Sequence, residues 1–75
     1  MKIREMKAGE RGKVTGYATS DRNYRQKLLQ MGLIRGTEFE LVRIAPLGDP
    51  AEISINGSSL TLRKTEADAL DVEKI

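Results

Sequence analysis

The dipeptide Asn56-Gly57 constrains this chain more than any other feature, because it stands between two short runs whose apolar residues alternate. Asn and Gly both tolerate positive φ, which a two-residue type I′ turn demands at each central position. Such a turn between Ala51–Ile55 and Ser58–Arg63 pairs Ile55 with Ser58, Ile53 with Leu60 and Ala51 with Leu62. The apolar residues of both runs then share one face, while Glu52, Ser54, Ser59, Thr61 and Arg63 share the other. A slip of one residue would reverse every side chain, so turn and pattern together specify one register.

The stretch from Asn23 to Phe39 is what the rest of the chain is arranged around. It predicts the one amphipathic helix, with Asn23 as N-cap and Gln26 at capping-box spacing; Ser20 and Asp21 are alternative, earlier starts. Tyr24, Leu28 and Met31 recur at i, i+4 and i+7 and mark an inward stripe that Leu29 broadens. Arg25, Lys27 and Gln30 face solvent. Gly32 suits a left-handed C-cap, and a Schellman ending would fold Leu33 back onto Leu28. Arg35-Gly36-Thr37 predicts a second turn before a strand over Glu38–Ile44. There Phe39 and Leu41 lie on one face and Val42 and Ile44 on the other, which requires a bulge near Leu41 or burial on both sides; strong curvature is the simpler account.

The remaining segments read as a small curled barrel. Ile3 and Met6 are core anchors ahead of a glycine turn at Ala8–Gly12. Lys13–Ala18 is a first strand, with Gly16 marking a bend or a close approach. Ala45–Pro50 is a compact loop of turn-forming residues. Thr65–Asp68 has the spacing of a short capped turn, and Leu70 and Val72 form a closing strand that returns to pair with the first. The fold class expected is mainly β: about five short antiparallel strands in a barrel, with one helix inserted between the first two, as a single domain over residues 1–75.

The chemistry legible here is mostly exclusion. With no Cys and no His, the chain has no disulfide scaffold, no thiolate zinc site and no near-neutral imidazole base. No phosphate-binding glycine loop and no nucleophile–base pair is present, so no catalytic residue and no enzyme activity are expected. The carboxylates Glu66, Asp68, Asp71 and Glu73 cluster in sequence, yet interspersed charge reads first as solvated surface, and no metal site or other cofactor is expected. Thirteen basic and eleven acidic side chains leave +2, an ordinary soluble surface. No apolar run reaches bilayer-spanning length and the first residues lack a signal-peptide core, so the expected location is cytoplasmic with no membrane insertion. Nucleic acid is the weaker partner class: Arg22, Arg25, Lys27 and Arg35 supply charge, but two Tyr and one Phe are the only stacking groups.

Protein docking fits what is left. Leu33, Ile34 and Leu47 are apolar residues in turns, where so small a barrel has least room to bury them. Leu33 has the competing role of capping the helix, whereas Leu47 has no evident core to enter. The expected docking surface comprises Leu33, Ile34, Arg35, Arg43, Pro46, Leu47, Gly48 and Asp49, with Arg25 as a further rim charge. Self-assembly through the same turns, giving a homo-oligomer, is the alternative.

Nearly the whole chain resembles FeoA, the small protein of bacterial ferrous iron transport. The resemblance rests on Leu28-Leu29-Gln30-Met31-Gly32-Leu33 with Gly36, on the loop Ala45-Pro46-Leu47-Gly48-Asp49-Pro50, and on Leu62-Arg63-Lys64 before an acidic close. It departs from the commonest pattern at Ile34-Arg35, where proline often precedes the glycine. The resemblance implies an SH3-like barrel, and a cytosolic accessory that docks on the GTP-binding region of the membrane transporter FeoB and regulates it.

Overall fold

The computed structural model describes all residues, 1–75. A 3₁₀ turn at Ile3–Glu5 leads into β1 (Arg11–Tyr17), α1 (Arg22–Gln30), β2 (Glu38–Ile44), β3 (Ala51–Ile55), β4 (Ser58–Leu62), α2 (Lys64–Asp68) and β5 (Leu70–Lys74). The five strands form one antiparallel sheet in the order β4-β3-β2-β1-β5. The closing strand pairs with the first, with Val14 opposite Val72 and Tyr17 opposite Leu70.

The hairpin has the predicted register, Ile55 opposite Ser58 through Ala51 opposite Leu62. Asn56 and Gly57 adopt φ of 52° and 84°, as a type I′ turn requires. The two-faced pattern of β2 is resolved by a bulge between Leu41 and Arg43, where the pairing with β3 shifts. Leu41 is buried while Val42 faces solvent, and the extra residue lets Ile44 turn back against the core. A second shift between Val14 and Gly16 bends β1 against β5. These two irregularities curl a short sheet around one apolar interior.

That interior joins Ile3 and Met6 from the N-terminal arm, Val14, Leu28, Leu33, Phe39, Leu41, Ile53, Leu62, Leu70 and Val72. Gly12 lies against the ring of Phe39: a Cβ there would stand 2.8 Å from Cζ, so this position requires the absence of a side chain.

The N-cap lies two residues before Asn23, and α1 itself begins at Arg22. Asp21 is the N-cap, its carboxylate accepting from the N–H groups of Asn23 and Tyr24. A carboxylate is a strong cap and opposes the positive end of the helix dipole, which favours it over the amide at Asn23. At the other end the Schellman geometry is complete: Leu33 N–H donates to the Leu28 carbonyl at 3.1 Å and Gly32 N–H to Leu29 at 3.0 Å, with Gly32 at φ 89°. Leu28 alone is fully buried on α1, whereas Tyr24 and Met31 are half-buried and Leu29 is exposed. The stripe is therefore narrower than its spacing suggests, because the helix rests on the mouth of the barrel rather than within it.

Candidate functional site

Ile34 and Leu47, two of the predicted apolar turn residues, do reach the surface. Leu47 is 92% exposed and Ile34 52% exposed, while Leu33 is 0% exposed. Leu33 is thus a correction to the expected docking surface: the Schellman ending that makes it leave the helix also drives its side chain into the core. It supplies no contact area. Its carbonyl is held as well, accepting from the Tyr17 hydroxyl at 2.7 Å, which ties the turn to β1.

The two turns hold their apolar residues by different means. Thr37 N–H donates to the Ile34 carbonyl at 3.0 Å with Gly36 at φ 93°, the pattern of a type II turn with Arg35 at its first central position. Proline suits that position because its ring presets φ, and Arg35 replaces this rigidity with a charged arm beside Gly16. In the loop, Gly48 N–H donates to the Ala45 carbonyl at 2.7 Å, placing Pro46 and Leu47 at the two central positions. Ala45 N–H also donates to Pro50, across a loop whose Asp49-Pro50 peptide is cis. Leu47 therefore projects from a closed, hydrogen-bonded turn.

Asp49 has a structural duty: its carboxylate accepts from Lys64 N–H at 3.0 Å, at the start of α2. Arg43 lies on the outer face of the sheet, its guanidinium 3.5 Å from the Glu52 carboxylate, both partly in solvent. Pro46 is exposed and Gly48 half-buried. The turn at Ile34–Thr37 precedes β2 and the loop follows it, so the strand separates them along the chain. Closure of the barrel nevertheless brings the end of α1 to the loop: Met31 lines a concavity of about 360 Å³ together with Asp49, Pro50, Thr61, Arg63 and Glu66.

On its other side the loop borders a smaller cavity of about 170 Å³, where Ile3, Ile44, Ala51 and Ala67 form an apolar floor beneath Arg4, Lys64, Asp68 and Gly48. The loop that carries Leu47 thus borders two depressions, one of mixed polarity through Asp49 and Pro50 and one apolar through Gly48. Sequence reasoning missed Met31, Arg63 and this floor, since no local signal says that α2 and the N-terminal arm meet the loop. The largest concavity, about 530 Å³, is polar and lies elsewhere, between Arg11, Glu38, Glu40, Ser54 and Asn56.

Glu66 is the buried charge nearest the site, 5% exposed. Its carboxylate accepts from the Lys27 ammonium at 2.8 Å and from Arg63 N–H at 2.9 Å, clamping α1 to α2. A hydroxyl bond from Tyr24 to Thr65 at 3.0 Å reinforces the clamp. Burial pushes the Glu66 carboxyl up, but the Lys27 and Arg63 hydrogen bonds and the two nearby positive charges outweigh it and hold the group below the usual carboxylate range. The other acidic residues do not converge: Asp68 faces Arg4 at 3.7 Å and Asp71 faces Lys2 at 2.9 Å, and no three carboxylates are placed to share an ion.

A depressed folded-state pKa gives stability that is present above the unfolded value and is lost as pH falls through the folded value. Glu66→Gln is therefore expected to lower stability by about 1 kcal/mol at neutral pH, a modest figure because Lys27 is open to solvent. The gap between variant and parent should begin to narrow near about pH 4, where the unfolded carboxyl protonates, and close as pH falls on through the lower folded value. Thermal melts across that range, read by circular dichroism, check both parts.

Comparison with known families matches residues 1–74 to the FeoA domain. A curated relative, the Fe(2+) transport protein A/Fe(2+) transporter FeoB fusion protein of Porphyromonas gingivalis, is 35% identical over 52 residues, which is 69% of this chain and 6% of the relative. The chain thus spans only a small part of that protein's length. Among solved structures, the FeoA protein of Chlorobium tepidum is 43% identical with a TM-score of 0.85, covering 100% of this chain and 70% of that one. A FeoA-like protein of Clostridium acetobutylicum is 36% identical with a TM-score of 0.87, covering 100% of this chain and 86% of that one. A manganese-dependent transcriptional repressor, 14% identical over 99% of this chain and 40% of its own with a TM-score of 0.89, shares the fold alone.

Proposed function

The chain belongs to the FeoA family, and on that premise we propose that it is an accessory of ferrous iron uptake that docks on the cytosolic GTP-binding region of an FeoB-type membrane transporter. The observation that carries this reading is Leu47, an almost fully exposed leucine on a closed turn between two concavities. A large apolar side chain presented so rigidly gives a partner a preformed anchor, at little ordering cost on binding. Ile34 adds a second apolar contact, and Arg35 and Arg63 supply positive charge near it and near the loop. Support for the partner comes from the Porphyromonas gingivalis relative, whose name joins protein A and FeoB in one polypeptide. Such a tether raises the effective concentration of one domain at the other, which makes sense when the two bind.

No helix is long and apolar enough to cross a membrane. The role needs no catalytic group of its own. Regulation follows only if the chain binds two states of the transporter unequally, for a ligand with equal affinity for both shifts nothing. The test is titration of the transporter's isolated cytosolic region with this protein, with GDP and with a non-hydrolysable GTP analogue in turn. Binding that differs at least tenfold between the two is the expected result. Absence of binding in both states rejects the proposed partner, and equal binding in both rejects the regulatory part.

A further inference from the structure

We propose that the free edge of β4 is a self-association edge, on which a second copy of this chain adds its own β4 antiparallel across a two-fold axis at Leu60. The sheet order leaves two edges, β4 and β5. The β5 edge is already covered, since Val72 N–H donates to the Met1 carbonyl at 2.9 Å. The β4 edge carries no such backbone pairing, and at its far end Thr61 lines the concavity it shares with Met31, Arg63 and Glu66. The type I′ turn makes Ile55 and Ser58 a hydrogen-bonded pair, and the alternation of an antiparallel ladder makes Ile53–Leu60 and Ala51–Leu62 the next ones. The N–H and C=O groups of Ser59 and Thr61 therefore point away from β3, and no turn, loop or side-chain bond of the chain reaches them.

Native edges of this kind are normally blunted by a charge, a proline or a bulge. Ser58-Ser59-Leu60-Thr61-Leu62 has no charged residue and no proline, and its pairing with β3 runs without a bulge. The edge is also complementary to itself. With the axis at Leu60, Ser59 of each copy faces Thr61 of the other, and each such pair exchanges two hydrogen bonds between groups that are now unpaired. Just beyond the strand, Arg63 falls opposite Gly57 and Lys64 opposite Asn56, so no like charges face one another. That charge compatibility favours a second copy as the occupant. Each copy offers only five residues, so the dimer is weak and its population follows concentration.

Sedimentation velocity of the intact chain from about 10 µM to about 1 mM reads the association directly by mass action. The dimer fraction is expected to rise across this range. Thr61→Pro removes an N–H that points outward and leaves the ladder to β3 intact, and it should weaken association at least tenfold with an unchanged far-ultraviolet spectrum. Register is tested separately by Leu60→Cys. The parent has no cysteine, so any disulfide must join two copies. Residues facing across the axis form a non-hydrogen-bonded pair with Cα atoms about 4.5 Å apart, within disulfide reach. Leu60→Cys should cross-link under mild oxidation faster than Ser54→Cys on the neighbouring strand by at least tenfold. A parent that stays monomeric at the highest concentration, or equal cross-linking at the two positions, overturns the proposal and leaves the edge to a strand from a different protein.

Discussion

Leu33→Asp is expected to leave the chain unfolded at room temperature. The side chain is wholly buried beside Leu28 and its carbonyl is tied to Tyr17, so the variant places a carboxylate where no cation or hydrogen-bond donor is arranged for it. Loss of a buried leucine alone costs about 2–5 kcal/mol, and an unpaired buried charge adds several more unless it is neutralised. A chain of 75 residues has a net stability of about 4–11 kcal/mol, so the sum meets or exceeds the whole. Far-ultraviolet circular dichroism and a urea titration provide the measurement. A cooperative transition at the parent midpoint would show that Leu33 lies outside the core.

Leu47→Asp should have the opposite profile. At 92% exposure the side chain makes almost no contact within the fold, and the turn that presents it is closed by backbone hydrogen bonds from Ala45 and Gly48. Its effect on stability should therefore stay within about 0.5 kcal/mol. Binding to the transporter's cytosolic region should fall at least tenfold, because an anchor that fills an apolar pocket is replaced by a charge that must be desolvated. Calorimetric titration beside a thermal melt separates the two readouts. Unchanged affinity with an intact fold would remove the loop from the docking surface. Taken as a pair, the two leucines distinguish a residue that makes the surface possible from one that forms it.

Clamping of α1 through Lys27 and Glu66 bears on the same surface. Arg63 and Glu66 line the concavity that also holds Met31 and Asp49, so the ion pair fixes the wall that a partner would meet. Acidification that loosens Glu66 should affect docking as well as stability, since both depend on α1 keeping its place over α2.

Periodicity and turn chemistry alone made much of this fold legible. Asn56-Gly57 with its flanking alternation specified the β3–β4 register, and Gly32-Leu33 specified the helix ending, because both are decided by stereochemistry within a few residues. The bulge beside Leu41 was visible as a conflict between two faces, though not which face would prevail. The helix start was less legible, since Ser20, Asp21 and Asn23 are all acceptable caps and the choice depends on how the preceding loop leaves β1.

Surface and core are where the tertiary structure decided. Leu33, Ile34 and Leu47 are all apolar residues in turns; Gly32 offered Leu33 a way back onto the helix, but only the fold settled that it is buried while Ile34 and Leu47 are exposed. The difference arises because Leu33 is aimed by the αL glycine into the core that the curled sheet encloses, whereas Leu47 sits at the second central position of a turn and is left 92% exposed. The sequence also could not place Met31 against Asp49 and Pro50, or the N-terminal arm beneath the loop, since these meetings join segments far apart in the chain. Local stereochemistry is short-ranged and readable in the residues themselves; the address of each turn on the barrel follows only from how the whole sheet curls.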